Sequence, residues 1–128
     1  MIVADSDVLI DALRGRQPAL DRIAIELKAG ALATTVVTVF ELLSGARSAT
    51  EERKVEQLLA GLTVLGLDGE AATAAAKVRR ALEGSGQKMG MVDYLIAGIC
   101  ITRSAILLTN NRKHFERVPD LRLSPVNV

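Results

Sequence analysis

Four short apolar runs, at residues 2–4, 31–35, 63–67 and 105–109, are each followed by a stretch with helical spacing, and this alternation restricts the fold more than any other feature. Runs this short with few internal charges read as strands buried on both faces, and helical crossovers between them bring such strands together in parallel. The expectation is an α/β chain with a central parallel sheet of four to five short strands, helices on both faces and right-handed crossovers, residues 121–123 serving as a last edge strand before Pro125. In such sheets the crevice outside the carboxyl ends of the strands is where ligands bind, which places Asp5 and Thr109 together.

The helices are legible from their ends. Asp5-Ser6-Asp7 can cap a helix running to about Leu13, Pro18 suits a first turn, and Gly30 suits a C-cap. From Val37 the apolar positions Val37, Phe40 and Leu43 take helical spacing, which leaves Thr38, Glu41, Gly45 and Ser48 on the polar stripe. Ser48 with Glu51 forms a capping-box pattern for a helix ending near Gly61, and Asp68 caps an alanine-rich segment over 71–82. Residues 89–102 are helical by length and composition, with Met89, Met91 and Cys100 expected in the core.

At 128 residues the chain suits one domain, 1–128, with a core large enough to need no staples. The net charge of +1 gives no bulk basic field, so nucleic acid would have to be held by a local patch. With Phe40, Tyr94 and Phe115 the only aromatics, a base-stacking platform is improbable, and a grip on the backbone is expected instead. The single cysteine, Cys100, excludes an internal disulfide and fits a reducing compartment; with no export leader at Met1 and no membrane-length apolar run, a cytoplasmic location is expected.

Three carboxylates stand out. Asp93 is the only charge between Met89 and Arg103, in a helix whose neighbouring positions Val92, Leu95, Ile96 and Ile99 are apolar. A buried carboxylate without a partner costs several kcal/mol, so Asp93 asks for a cation or donors. No lysine or arginine is its sequence neighbour, and carboxylate oxygens are what a hard divalent ion prefers. Asp5 alone reads equally as an N-cap, and Glu41 alone as a solvated glutamate. If the three converge, their repulsion calls for an ion that could activate water and clamp phosphate oxygens.

The segments Met1 to Leu13, Val39-Phe40-Glu41-Leu42, Asp93-Tyr94-Leu95-Ile96-Ala97 and Leu108-Thr109-Asn110-Asn111 with Phe115 resemble, in order and spacing, PIN-domain ribonucleases, and most of all the VapC toxins of toxin–antitoxin pairs. The resemblance covers the chain from Met1 to the Pro125 region. It implies a PIN-like fold, Mg2+- or Mn2+-dependent endoribonuclease activity on RNA, a VapB-like antitoxin that blocks the site, and a homodimer. By position it makes Asp5, Glu41 and Asp93 the catalytic, metal-binding carboxylates, with Ser6, Thr109 and Asn111 as supporting polar groups. Asn111 departs from the fourth acid the family often carries, and Asp7 stands where relatives often have asparagine. Asp7 reads as a helix cap, with partial compensation for Asn111 as the alternative.

Arg14, Arg16, Lys88, Arg112, Lys113 and Arg117 fall in predicted loops near the crevice, where phosphate contact competes with simple solvation. His114, the only histidine, reads as a surface or helix-end residue. A haloacid dehalogenase-type phosphatase with Asp5 as nucleophile is the rival enzyme, since Asp5-Ser6-Asp7-Val8-Leu9 resembles its first motif; its later lysine and acid pair are missing. A catalytically inert PIN-like binding domain is the remaining alternative, with Asn111 as its only support.

Overall fold

The computed structural model describes residues 1–127. The chain runs β1 (Ile2–Ala4), α1 (Ser6–Leu13), α2 (Ala19–Ala29), β2 (Leu32–Thr35), α3 (Val36–Gly45), α4 (Ala49–Ala60), β3 (Thr63–Leu65), α5 (Gly69–Gly84), α6 (Met91–Thr102), β4 (Ile106–Leu108), α7 (Arg112–Phe115) and β5 (Arg122–Ser124). The strands form one five-stranded sheet in the order β3-β2-β1-β4-β5, with every pairing parallel. The apolar runs were read correctly as strands, β1 with the expected bounds and β2, β3 and β4 a residue or two shorter, and the edge strand is displaced by one residue to Arg122–Ser124.

Alternation along the strands sends neighbouring residues to opposite faces. Val3, Ala33 and Leu107 join the core under α5 and α6. Ala4, Leu32 and Leu108 join the second core, under α1, α2 and α4. Both faces are therefore covered, as a parallel sheet requires. Among the described residues no helix is long and apolar enough to cross a membrane.

α3 corrects the expected orientation. Phe40 and Leu43, taken for its inner face, are 67% and 38% exposed, whereas Thr38 is fully buried and Glu41 half-buried. The polar side is turned inward because Thr35, at the N-cap, accepts the Thr38 N–H at 3.1 Å and shares a 3.1 Å contact between the two hydroxyls, which satisfies both groups away from water. Met91 is a second correction. Expected in the core, it is 52% exposed, because α6 starts at this residue and its first turn projects at the surface. Met89 and Cys100 are buried, and burial pushes the Cys100 thiol up to about 12, which keeps it an inert thiol.

The chain's end is tied to α2 by one side chain. Arg22, 8% exposed, donates to the Pro125 carbonyl at 2.6 Å, to the Ser124 hydroxyl at 3.0 Å and to Glu26 Oε1 at 3.1 Å. Arg22→Ala removes these bonds and leaves the Pro125 carbonyl and the Ser124 hydroxyl without this donor. The expected loss is about 2–3 kcal/mol of unfolding free energy, measured by urea denaturation.

Candidate active site

The site forms at the carboxyl ends of β1, the central strand, and its neighbour β4. The Asp5 N–H continues the ladder by donating to the Leu108 carbonyl at 2.9 Å, so Asp5 leaves β1 in a fixed position. It is also the N-cap of α1, accepting the Ser6 N–H on Oδ1 at 2.8 Å. Capping and site geometry therefore coexist in one residue, with Oδ2 accepting the Thr109 hydroxyl at 2.8 Å. Thr109 in turn accepts the Asn111 N–H at 3.0 Å.

Asp93 lies in the first turn of α6, where unpaired backbone N–H groups favour negative charge. The approach to that turn is held by the buried Tyr94 hydroxyl, which accepts the Met89 N–H at 2.8 Å. Asp5, Ser6, Asp7, Asp93, Asn110 and Asn111 line one open cavity of about 320 Å³. Glu41 does not line it. Glu41 faces the adjoining groove of about 480 Å³, between α1, α3 and α4, with Arg14 and Lys54 at its rim.

The structure reverses the expected ranking of the acids. Asp5 is the most buried, at 6% exposed, whereas Asp93 is only half-buried despite its apolar sequence surroundings. Desolvation raises the Asp5 carboxyl above its ordinary range, partly offset by Thr109 and Ser6, and Asp93 adds repulsion. Glu41 is raised by desolvation and then by Asp5, partly offset by the Ser6 hydroxyl, with smaller repulsion from Asp93 and Asp7. Asp93 is raised by desolvation, with His114 as a partial counterweight. Like charges are thus felt among all three, although they lie on β1–α1, α3 and α6.

Asp7 belongs to this field more than its capping reading implied. Desolvation and then Asp5 push it up to about 6. Its Oδ1 accepts the Val8 N–H at 2.7 Å, and its Oδ2 accepts the Asn110 N–H at 3.1 Å. Asn111 stands beside His114, with its amide nitrogen 3.1 Å from Nδ1. His114 is an exposed residue of α7, as its surface reading required. Arg112 and Lys113 also belong to that helical turn, which the sequence reading had left as loop.

Among the described residues no three acidic, histidine or cysteine side chains stand close enough to form a ready-made ligand set. The donor chemistry nevertheless fits a hard cation: the groups are carboxylates that raise one another, and Glu41 Oε1 is buried without a hydrogen-bond partner. Such an orphaned oxygen is what a bound ion would satisfy. The phosphatase arrangement finds no counterpart, because β5 carries Arg122-Leu123-Ser124 and neither a lysine nor an acid pair.

The raised acids set the sign of a pH effect. The unfolded chain gives up the Asp7 proton around the ordinary value of 3.8, whereas the folded chain keeps it to about 6, so the folded state binds more protons in between. Stability then falls as pH rises across that interval, and Asp5, Glu41 and Asp93 act in the same direction. Without divalent cations, the protein should melt at a higher temperature at pH 5 than at pH 7. A melting temperature that climbs over that range would contradict the electrostatics.

The PIN domain family model matches residues 2–121. The chain is 38% identical to "Ribonuclease VapC10" of Mycobacterium tuberculosis over 122 residues, which is 95% of this chain and 91% of that protein. It is 34% identical to the "tRNA(fMet)-specific endonuclease VapC" of Shigella flexneri, with 92% of each chain covered. Its structure is similar to the DNA-bound VapBC crystal structure from Salmonella typhimurium, with a TM-score of 0.86, 28% identity, and 98% and 97% of the two chains covered. The sheet order, the carboxylates at its C-terminal edge and these matches together show that the chain belongs to the PIN-domain family, among relatives of the VapC ribonucleases.

Proposed function

We propose that the protein is the toxin of a toxin–antitoxin pair and acts as a Mg2+- or Mn2+-dependent endoribonuclease, restrained by a VapB-like antitoxin. The observation that carries the reading is the meeting of Asp5 and Asp93 in one cavity, with the unpartnered Glu41 Oε1 in the groove beside it, in a chain whose relatives are named as ribonucleases. Similarity to VapBC complexes supports the antitoxin.

Asp5, Glu41 and Asp93 would hold the cation. When bound, it supplies positive charge against phosphate oxygens and lowers the pKa of water. Thr109 and Ser6 fix the Asp5 carboxylate through hydrogen bonds to both of its oxygens, so its orientation is set before RNA arrives. Glu41, with one carboxylate oxygen buried and unpartnered in the groove beside the cavity, is the group suited to orient or deprotonate the attacking water. Asn111 orients polar groups at the mouth of the cavity through its amide.

The experiment is RNA cleavage by purified protein free of antitoxin. Cleavage should stop in chelator, return with Mg2+ or Mn2+, and fail in Asp93→Asn while that variant remains folded. Cleavage that persists in both chelator and Asp93→Asn would overturn the assignment. Failure of the wild type to bind divalent metal in calorimetry would favour an inert binding domain.

A further inference from the structure

The loop before the short α7 meets α1 chiefly through Asn110, with the Thr109 hydroxyl also 3.5 Å from Asp7 Oδ2. The Asn110 backbone N–H donates to Asp7 Oδ2 at 3.1 Å, and its side-chain amide donates to Asp11 Oδ2 at 3.3 Å. Asp7 and Asp11 are four apart and share one face of α1. Each spends its other oxygen locally, Asp7 on the Val8 N–H at 2.7 Å and Asp11 on Arg16 at 3.7 Å. Thr109, one residue earlier, is fixed by Asp5, and Asn111 is fixed by Thr109. Three aspartates of the β1–α1 segment therefore grip the loop at consecutive positions nearly the length of the chain away.

We infer that Asp7 and Asp11 with Asn110 form a positioning clamp, which sets where Asn111, the cations Arg112 and Lys113, and the His114 ring stand relative to the acidic cavity. The clamp rests on the nuclease reading for its purpose and not for its existence. It also gives Asp7 a role of its own: both oxygens are engaged by backbone N–H groups, which accounts for an acid at this position without making it a substitute for the one missing at Asn111. α7 has only four residues and its inward anchor is the fully buried Phe115, so the clamp is what orients the other end of that turn. A carboxylate shifted by a fraction of its hydrogen bond would let the loop swing, and small misplacements of groups around a reacting centre are costly.

Asp11 lies outside the cavity lining and is a third exposed in its side chain, so its removal should spare the fold. Asp11→Ala and Asn110→Ala are each expected to lower kcat for RNA cleavage by about tenfold without raising KM, and the double variant should be no worse than the poorer single one. Additive losses, or unchanged turnover in both single variants, would overturn the clamp. A second measurement needs no activity. Amide hydrogen exchange at residues 110–114 should speed up by about fivefold in each variant while the β1 and β4 amides stay protected, as loss of a hydrogen bond worth about 1 kcal/mol predicts. If the wild type cleaves no RNA, the nuclease reading fails and the exchange result still decides the clamp; unchanged exchange in that loop would refute it.

Discussion

Asp5→Asn should yield a protein that melts at or above the wild-type temperature and cleaves RNA at least about a hundredfold more slowly. Asparagine keeps the shape of the side chain, and its carbonyl can still accept the Ser6 N–H that caps α1. The Thr109 hydroxyl, which donates to Oδ2, can rotate and accept from the new amide instead. What disappears is a charge on a residue only 6% exposed, raised by desolvation and repelled by Asp93. Stability in the absence of cation therefore rises or holds. Activity falls because the charge that would bind the cation is gone, and removing several kcal/mol of electrostatic stabilisation from a transition state costs two or more factors of ten. Opposite signs for folding and function are the mark of a site whose strain serves chemistry. Thermal melts in chelator and single-turnover cleavage in Mg2+ measure the two halves. A variant that loses stability and activity in proportion would show that Asp5 acts as a cap alone.

The sheet was legible because short apolar runs leave a chain of this length few ways to be buried, and β1, β2 and β4 pair as their composition required. Asp5 and Thr109 were placed together correctly, since they follow two strands that pair side by side in parallel. α3 was not legible from its pattern. Val37, Phe40 and Leu43 form an apolar stripe that looks like a core face, yet only Val37 is buried and Phe40 and Leu43 are exposed, while Thr38 turns inward to the Thr35 hydroxyl. Asp93 is a parallel case: its apolar sequence neighbours mark a buried helix while its own position at the first turn leaves it open to the cavity. The Asp11–Asn110 bond joins residues 99 apart, and no local signal announces it.

Gly98 governs how closely α6, and with it Asp93, lies against α5. A Cβ added there would sit 2.4 Å from the Ala71 carbonyl oxygen and 2.8 Å from both the Cβ and the backbone nitrogen of Ala75. Two of these neighbours are backbone atoms, which cannot rotate aside, so the helices must separate. Elsewhere in a helix, glycine to alanine gains about 1 kcal/mol of propensity. Here the gain is outweighed by overpacking, which costs about 1–3 kcal/mol for a misfitting methyl group and more where the backbone itself must move. Gly98→Ala should therefore lower the melting temperature by about 5–10 °C, and Gly98→Val further, since its branched side chain adds two more carbons at the same contact. The displacement is carried along α6 to Asp93, five residues away on the same rigid element, so cleavage at a temperature where the alanine variant is fully folded should also slow. A Gly98→Ala protein with unchanged melting and unchanged cleavage would mean that α5 and α6 can part at no cost, and the close approach of these helices would not be what fixes the carboxylate.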